Sequence, residues 1–357
     1  MNALIRKAVV VVLSALWMSG CQIAGETDLD APADAGPPLE AAVVGTGDTT
    51  MVLALPFAGS DAAVARQIRN GAILAHEMLS GDQLALAIAN ENNPDYASYK
   101  NPALVAVYAP SDKAPALPGK NSVTVNLGGA PLQPGGFSLL ASETDSLIAG
   151  LRYAAPSGSL VVILAPESQS DSSLQDIAKS IGGSVDIVKY KPTASGEDLV
   201  KLLGGAEEIF AVGFVESDEK VAEAADALKK KKVTPVIVGH SGWGTNLVRN
   251  PKLEGAIIAR PDRSASSLVA ERYQTKYGSA PSEMSLYGFD LVAIASGLVR
   301  KNGKNGISRK NLLTGQGFIG TSGAFRFREN GTVERLYEIN KIVGGKLKVI
   351  QSAPAGF

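Results

Sequence analysis

Two histidines, one cysteine and a few serines at the ends of apolar runs bound the chemistry available to this chain. Gly239-His240-Ser241-Gly242-Trp243-Gly244 comes nearest to a catalytic signature, because it follows an apolar run. A nucleophile elbow needs glycine two residues after its serine, and Trp243 stands there. His240 adjoins Ser241 in the chain, and the other histidine, His76, lies in a helix-periodic stretch, so no general base is placed for the serine. The single cysteine, Cys21, falls in an N-terminal leader, which removes a thiol protease. Four zinc ligands cannot be drawn from three Cys and His residues. The 34 basic and 35 acidic side chains give a net charge of -1, with no basic surplus for a phosphate backbone. The expectation is a non-enzymatic protein with no metal, no cofactor and no nucleic-acid partner.

What remains is ligand or partner binding at strand ends. Ser60, in Gly59-Ser60-Asp61, can hold an anionic group at a helix start or simply cap that helix. Ser111 and the pair Gly128 and Gly129 end two further strands, and the glycines also fit an interdomain turn. Ser241 and Trp243 follow another strand. There Trp243 is either a stacking residue or a core cap. Tyr287 and Asp290 open a late helix and are candidates for contact or for capping. Glu143 and Asp145 sit where a helix N-terminus favours carboxylates, so no catalytic pair is needed. Lys229 to Lys232, the one basic run, closes an amphipathic helix, as a solvated face or as a contact for an anionic surface.

The elements that position these residues alternate in type. Met51 to Pro56 is nearly all apolar, as a central parallel strand is, and a helix on Val64, Ile68, Ala72, Ala75 and Leu79 follows. Strands are predicted at 84–89, 104–108 and 122–127, with no convincing helix between them. Helices over 143–153, 172–181, 196–203 and 217–231 then alternate with strands at 160–164, 185–188, 209–212, 235–239 and 255–259. This pattern makes open parallel sheets covered by helices. Two more helices follow, at 266–277 and from 287. After Gly303 the texture becomes period-two. Phe325 to Arg328 and Val333 to Ile339 flank Glu329-Asn330-Gly331, a hairpin signal, and Lys346 to Ile350 adds a further strand. The fold class is α/β, ending in an antiparallel ribbon. With 357 residues and 45% apolar content, two cores are expected.

The N-terminus has a separate logic. Arg6 and Lys7 precede an apolar run from Ala8 to Trp17, too short for a bilayer, which takes about 20 residues. It reads as a signal peptide. Met18-Ser19-Gly20-Cys21 resembles a bacterial lipobox, which implies cleavage after residue 20 and lipidation of Cys21, holding the protein at a membrane through a lipid anchor. By the same resemblance, Gln22 implies the outer membrane, with the protein on its periplasmic face. Residues 21–48, rich in Ala, Pro and Asp, read as a flexible tether.

Several stretches resemble type I periplasmic binding proteins, the group of leucine/isoleucine/valine-binding proteins and, within it, the lipoproteins called penicillin-binding protein activators. The stretches are Leu55-Pro56-Phe57-Ala58-Gly59 with Val64, Gly71, Ala72 and Ala75; then Tyr287-Gly288-Phe289-Asp290-Leu291-Val292-Ala293; then Gly317 to Gly323 with Phe325-Arg326-Phe327 and Asn330-Gly331. The resemblance spans about residues 50–350. It implies two α/β lobes joined by three crossings: lobe one at 49–138 and 263–305, lobe two at 139–262 and 306–352. It also implies a cleft that takes a small polar ligand. The helices that usually cover lobe one are missing around 88–123, which predicts bare sheet surface that a partner would cover. The first expectation is therefore a periplasm-facing lipoprotein that binds an envelope protein, such as a cell-wall synthase, or an envelope-derived ligand in cell-wall regulation. The alternative is an ABC-transporter solute receptor for amino acids or similar small molecules.

Overall fold

The computed structural model describes residues 38–81, 83–92, 94–99, 101–110, 117, 122–204 and 208–357. The leader, Cys21 and Ser111 lie outside these residues. The first sheet is built from β1 (Ala42–Val44), β2 (Thr49–Leu55), β3 (Leu84–Asn90), β4 (Leu104–Val107), β5 (Val123–Asn126) and β6 (Phe137–Ser138). Its order is β1-β3-β2-β4-β5-β6. Every pairing is parallel except that of β1 with β3. Strand β2 is central and buried on both faces, as its apolar run predicts.

The chain joins this sheet earlier than residue 49. Leu39 is buried in the first core and Ala42–Val44 pairs with Leu86–Ile88, so the tether's proposed end at residue 48 is corrected. Three residues of modest hydropathy are too weak a sequence signal for an edge strand; pairing made this one.

Helix α1 (Ala62–Ala75) follows β2 and continues as a π-turn over His76–Ser80. Among the described residues between β3 and β4 there is only a short 3-10 turn at Tyr96–Tyr99. The covering helices are thus reduced, yet the sheet is not bare. Val52, Ala54, Ala87, Ala89, Val105 and Val107 are all at most 2% exposed on that face, packed under Tyr96, Tyr99, Leu117 and Leu132. The chain's own loops cover what a helix would, which corrects the expected bare surface.

The second lobe opens with α2 (Glu143–Ala154) and runs through β7 (Leu160–Pro166), α3 (Asp171–Ile181), β8 (Ser184–Tyr190), α4 (Gly196–Leu202), β9 (Ile209–Phe214), α5 (Lys220–Lys230), β10 (Val236–Gly239), α6 (Thr245–Val248) and β11 (Ile257–Pro261). Serines set the helix starts: Ser142, Ser170 and Ser195 each accept a backbone N–H from three residues on, and Asp198 completes a capping box with Ser195.

The chain then returns to lobe one as α7 (Ser267–Tyr277), α8 (Glu283–Asn302), α9 (Arg309–Leu312), β12 (Phe318–Gly320), β13 (Gly323–Phe327) and β14 (Val333–Arg335). Helices α1 and α8 cross so closely that a Cβ on Gly71 would lie 1.8 Å from the Ser285 carbonyl oxygen. On Gly288 it would lie 2.2 Å from that of Ile68. The α8 start is Ser282, which caps Ser285, so Tyr287 and Asp290 lie inside the helix rather than at its opening.

The ribbon differs most from expectation. Val333 to Ile339 is not one strand. Val333–Arg335 pairs with β13, whereas β15 (Tyr337–Val343) pairs with β11 and with β16 (Lys346–Gln351) in the second sheet. That sheet has the order β16-β15-β11-β10-β9-β7-β8. Phe325, Phe327 and Val333 belong to the first core, and Phe137 meets Phe327 at 4.8 Å. The third crossing therefore lies at Leu336, and residues 306–335 belong to lobe one, a correction to the boundary at 305. Period-two alternation marks an extended chain, but it does not tell which sheet the chain joins.

Candidate functional site

In an open parallel sheet, ligands bind beyond the carboxyl ends of the strands. On lobe one these ends carry Gly59-Ser60-Asp61 after β2, Glu91 after β3, Tyr108 after β4 and Gly128-Gly129 after β5. Ser60 is exposed, and its hydroxyl reaches no further than Asp61, at 3.5 Å. Glu91 has its pKa raised by burial and then by Asp61, and Tyr108 is raised by the same two causes. Asp61, Glu91 and Tyr108 thus form one electrostatically linked acidic rim. Gly128 and Gly129 press on the backbone of Ala109 and Pro110, where a Cβ on either would come within 3.0 Å. Asn126 ties this corner together: its carboxamide accepts the N–H of Ala109 and of Gly128, and donates to the carbonyls of Ala109 and Ala130. The two glycines shape the rim and present backbone only.

Lobe two presents Tyr190, Glu216 and Asp218 after β8 and β9, and His240 to Trp243 after β10. Burial, then Asp218 and Glu216, raises the Tyr190 phenol, and Lys220 lies 5.9 Å from the centre of its ring. Burial lowers the pKa of His240 against the pull of Glu143, whose carboxylate is 3.4 Å from Nδ1. Nδ1 also accepts the Gly242 N–H at 3.2 Å, which fits a neutral ring. Ser241 is half-buried, and its N–H donates to Ser146 Oγ at 2.8 Å.

Trp243 is fully buried in the second core; its indole donates to the Glu216 carbonyl at 3.1 Å, and its rings lie against Gly239. It caps the strand ends and offers no surface for stacking. Arg260, at the end of β11, donates to the Trp243 carbonyl at 2.8 Å while its Nε has no hydrogen-bond partner. Burial, then Arg263, lowers its pKa to about 10.

Tyr287 and Asp290 belong to the hinge and not to an open surface. Asp290 is 1% exposed and accepts from the N–H and hydroxyl of both Thr321 and Ser322 at 2.5–2.8 Å. Burial raises its pKa against the pull of these donors. Tyr287 donates to Glu283 at 2.5 Å and accepts the Ala141 N–H at 3.2 Å. Glu283 also pairs with Arg263 at 3.1 Å. Burial alone would raise its pKa, but Arg263, the Tyr287 hydroxyl and Arg335 together hold it below the usual range. Arg335, stacked on Tyr287 and Phe325, donates to the carbonyls of Ser322 and Leu139. These groups clamp the crossings at 139–142, 261–263 and 335–337 into one buried joint.

Sequence reading missed Glu91, Tyr108, Glu216 and Arg260. Glu216 and Arg260 are the first polar residues after strands it did recognise, so counting such residues would have found these two; Asn90 precedes Glu91, and Tyr108 fell inside its predicted strand. Among the described residues no helix is long and apolar enough to cross a membrane.

Neither a protein-family model nor a curated protein matches the sequence. Solved structures match by shape. A branched-chain amino acid ABC transporter protein from Rhodospirillum rubrum aligns over 85% of this chain and 99% of its own, at 19% identity and TM-score 0.71. A solute-binding protein from Rhodopseudomonas palustris, in complex with 3,4-dihydroxybenzoic acid, aligns over 87% and 97%, at 15% identity and TM-score 0.57. A branched-chain amino acid transporter substrate-binding protein from Streptococcus pneumoniae, in complex with isoleucine, aligns over 86% and 99%, at 15% identity and TM-score 0.53. The fold is the two-lobed type I periplasmic binding protein fold.

Proposed function

We propose that this chain is a non-enzymatic solute receptor that takes a small zwitterion, of the amino-acid class, between its two lobes. The observation that carries the reading is the charge layout at the strand ends. Asp61 and Glu91 on one lobe and Glu216 on the other supply carboxylates for an ammonium group. Arg260, with Nε unpartnered, supplies a guanidinium for a carboxylate. Closing two acidic rims costs like-charge repulsion, and a ligand bearing an amine offsets it. The structural neighbours, whose names describe amino-acid transporter components and solute-binding proteins, support the same reading.

The cell-wall partner reading loses its motive, because lobe one covers its own sheet. The leader and Cys21 support export and acyl anchoring, with the body in the periplasm and the outer membrane as the anchoring site.

Isothermal calorimetry of residues 22–357 tests this proposal with L-leucine, L-lysine, L-glutamate and benzoate. An amino acid bound at micromolar Kd, weakened at least tenfold by Arg260→Gln, is the expected result. Folded protein silent to every amino acid overturns it.

A further inference from the structure

Lobe one has a second cavity, which runs from the hinge residue Asp290 away from the strand carboxyl ends. A groove of about 550 Å3 runs between the outer side of α8 and the segment 310–320. Thr49, at the amino end of β2, hydrogen-bonds the Lys304 carbonyl just beyond α8. The carboxyl end of α8 therefore lies at the sheet edge opposite the interlobe rim, and the groove runs toward that edge. Its volume falls in the range of small-molecule pockets, about 300–1,000 Å3.

The lining is divided by polarity. Ile294, Leu298, Phe318 and Ile319 make an apolar wall, and Ile319 is 82% exposed, far beyond any other large apolar side chain of the lobe. Lys301 and Lys310 stand at one end. Among the described residues neither makes a hydrogen bond or ion pair with another side chain. Lys301 also complements the dipole at the end of α8, so Lys310 is the less committed of the two cations. Asp290 lines the opposite end, eleven residues back along α8 or roughly 16 Å at 1.5 Å per residue. Its carboxylate is filled by donors from Thr321 and Ser322.

Gly297 is the independent pointer. A glycine inside a helix is disfavoured, and two others here have evident reasons, because Gly71 and Gly288 sit at the α1–α8 crossing. Gly297 has no such reason. A Cβ there would meet nothing within 4 Å, and the residue lines the groove. Its missing side chain keeps the groove open and does nothing else visible in the packing.

We propose that this groove is a second ligand site, for a single-chain aliphatic carboxylate. The chain lies along Ile294, Leu298 and Phe318, and the carboxylate sits between Lys301 and Lys310. The reverse orientation would set the head against Asp290.

Calorimetry of residues 22–357 with monomeric sodium decanoate tests the site. The expected result is saturable binding with one site per chain. Lys301→Glu with Lys310→Glu should weaken it at least tenfold. Gly297→Leu should abolish it while leaving Tm unchanged or raised, since this residue has open space and leucine is a better helix former. Leucine titrations, which report the interlobe cleft, should be unaffected by Gly297→Leu, so this site and the receptor reading fail separately. Wild-type protein that does not bind decanoate overturns the proposal. So does decanoate binding that survives Gly297→Leu, or decylamine binding as tightly as decanoate.

Discussion

Asp290→Ala tests the buried joint most directly. The carboxylate is 1% exposed and accepts four hydrogen bonds, two from backbone N–H groups and two from hydroxyls. Truncation lets the hydroxyls of Thr321 and Ser322 turn elsewhere, but their amides are held in the β12–β13 turn and stay buried. Each stranded donor costs about 1–3 kcal/mol, and hydrogen bonds to a charged acceptor contribute about 1.5–3 kcal/mol each without adding fully. A loss of roughly 3–5 kcal/mol is expected, in the range for breaking a buried charged network. At about 2–4 °C per kcal/mol for chains of 150–250 residues, the first transition should fall by roughly 10 °C in scanning calorimetry. Gly320→Ala should act in the same direction, because a Cβ there would lie 2.4 Å from the Asp290 carboxylate. A melting temperature for Asp290→Ala within about 2 °C of wild type would refute the reasoning, since such a small shift corresponds to roughly 1 kcal/mol or less.

The helix crossing should be as intolerant: Gly288→Ala places a methyl 2.2 Å from the Ile68 carbonyl oxygen and should cost about 1–3 kcal/mol as overpacking, read from urea unfolding. Trp243→Ala should cost about 3–5 kcal/mol by emptying a fully buried site. A Trp243→Phe protein that folds should bind ligand nearly as wild type, and a large affinity loss there would restore the stacking role. Glu283 has its pKa held below the ordinary 4.5, so its contribution is fully present above that value and is lost as pH falls through the folded pKa. The stability gap between wild type and Glu283→Gln should therefore be widest near neutral pH and shrink in acid; a pH-independent gap would contradict the assignment. Arg328 of lobe one meets Asp145 of lobe two at 3.1 Å, so Arg328→Ala should loosen the interlobe angle and change the radius of gyration by small-angle scattering, with little effect on Tm because the pair is partly exposed.

Much of the secondary structure was legible because its signals are local. The buried strand β2 announces itself by composition, the lobe-two helices by apolar period, and the hairpin at Arg328–Thr332 by Asn330-Gly331. The functional residues were read less well. Tyr287 and Asp290 looked like groups at an opening helix, and Trp243 could have been either a stacking surface or core. All three proved to be buried supports. Their types do not reveal exposure, which depends on what packs above them. The sequence places Arg260 at a strand end, but an arginine there is common, and an unpartnered Nε exists only once its surroundings are built.

The sequence by itself determined the α/β class, and its motifs carried the resemblance to a two-lobed fold. The class follows from composition and from periods of 2 and 3.6 residues, and the resemblance from short motifs, all of which are properties of short windows. Tertiary structure decided the rest. It placed Ala42–Val44 in the first sheet, split 333–339 between two sheets at Leu336, covered lobe one with Tyr96 and Tyr99, and closed Asp290, Glu283 and Arg335 into the hinge. Each of these depends on partners far away in the chain. Pairing, burial and the pairing of charges are energies of contact, and no window of sequence contains both sides of such a contact.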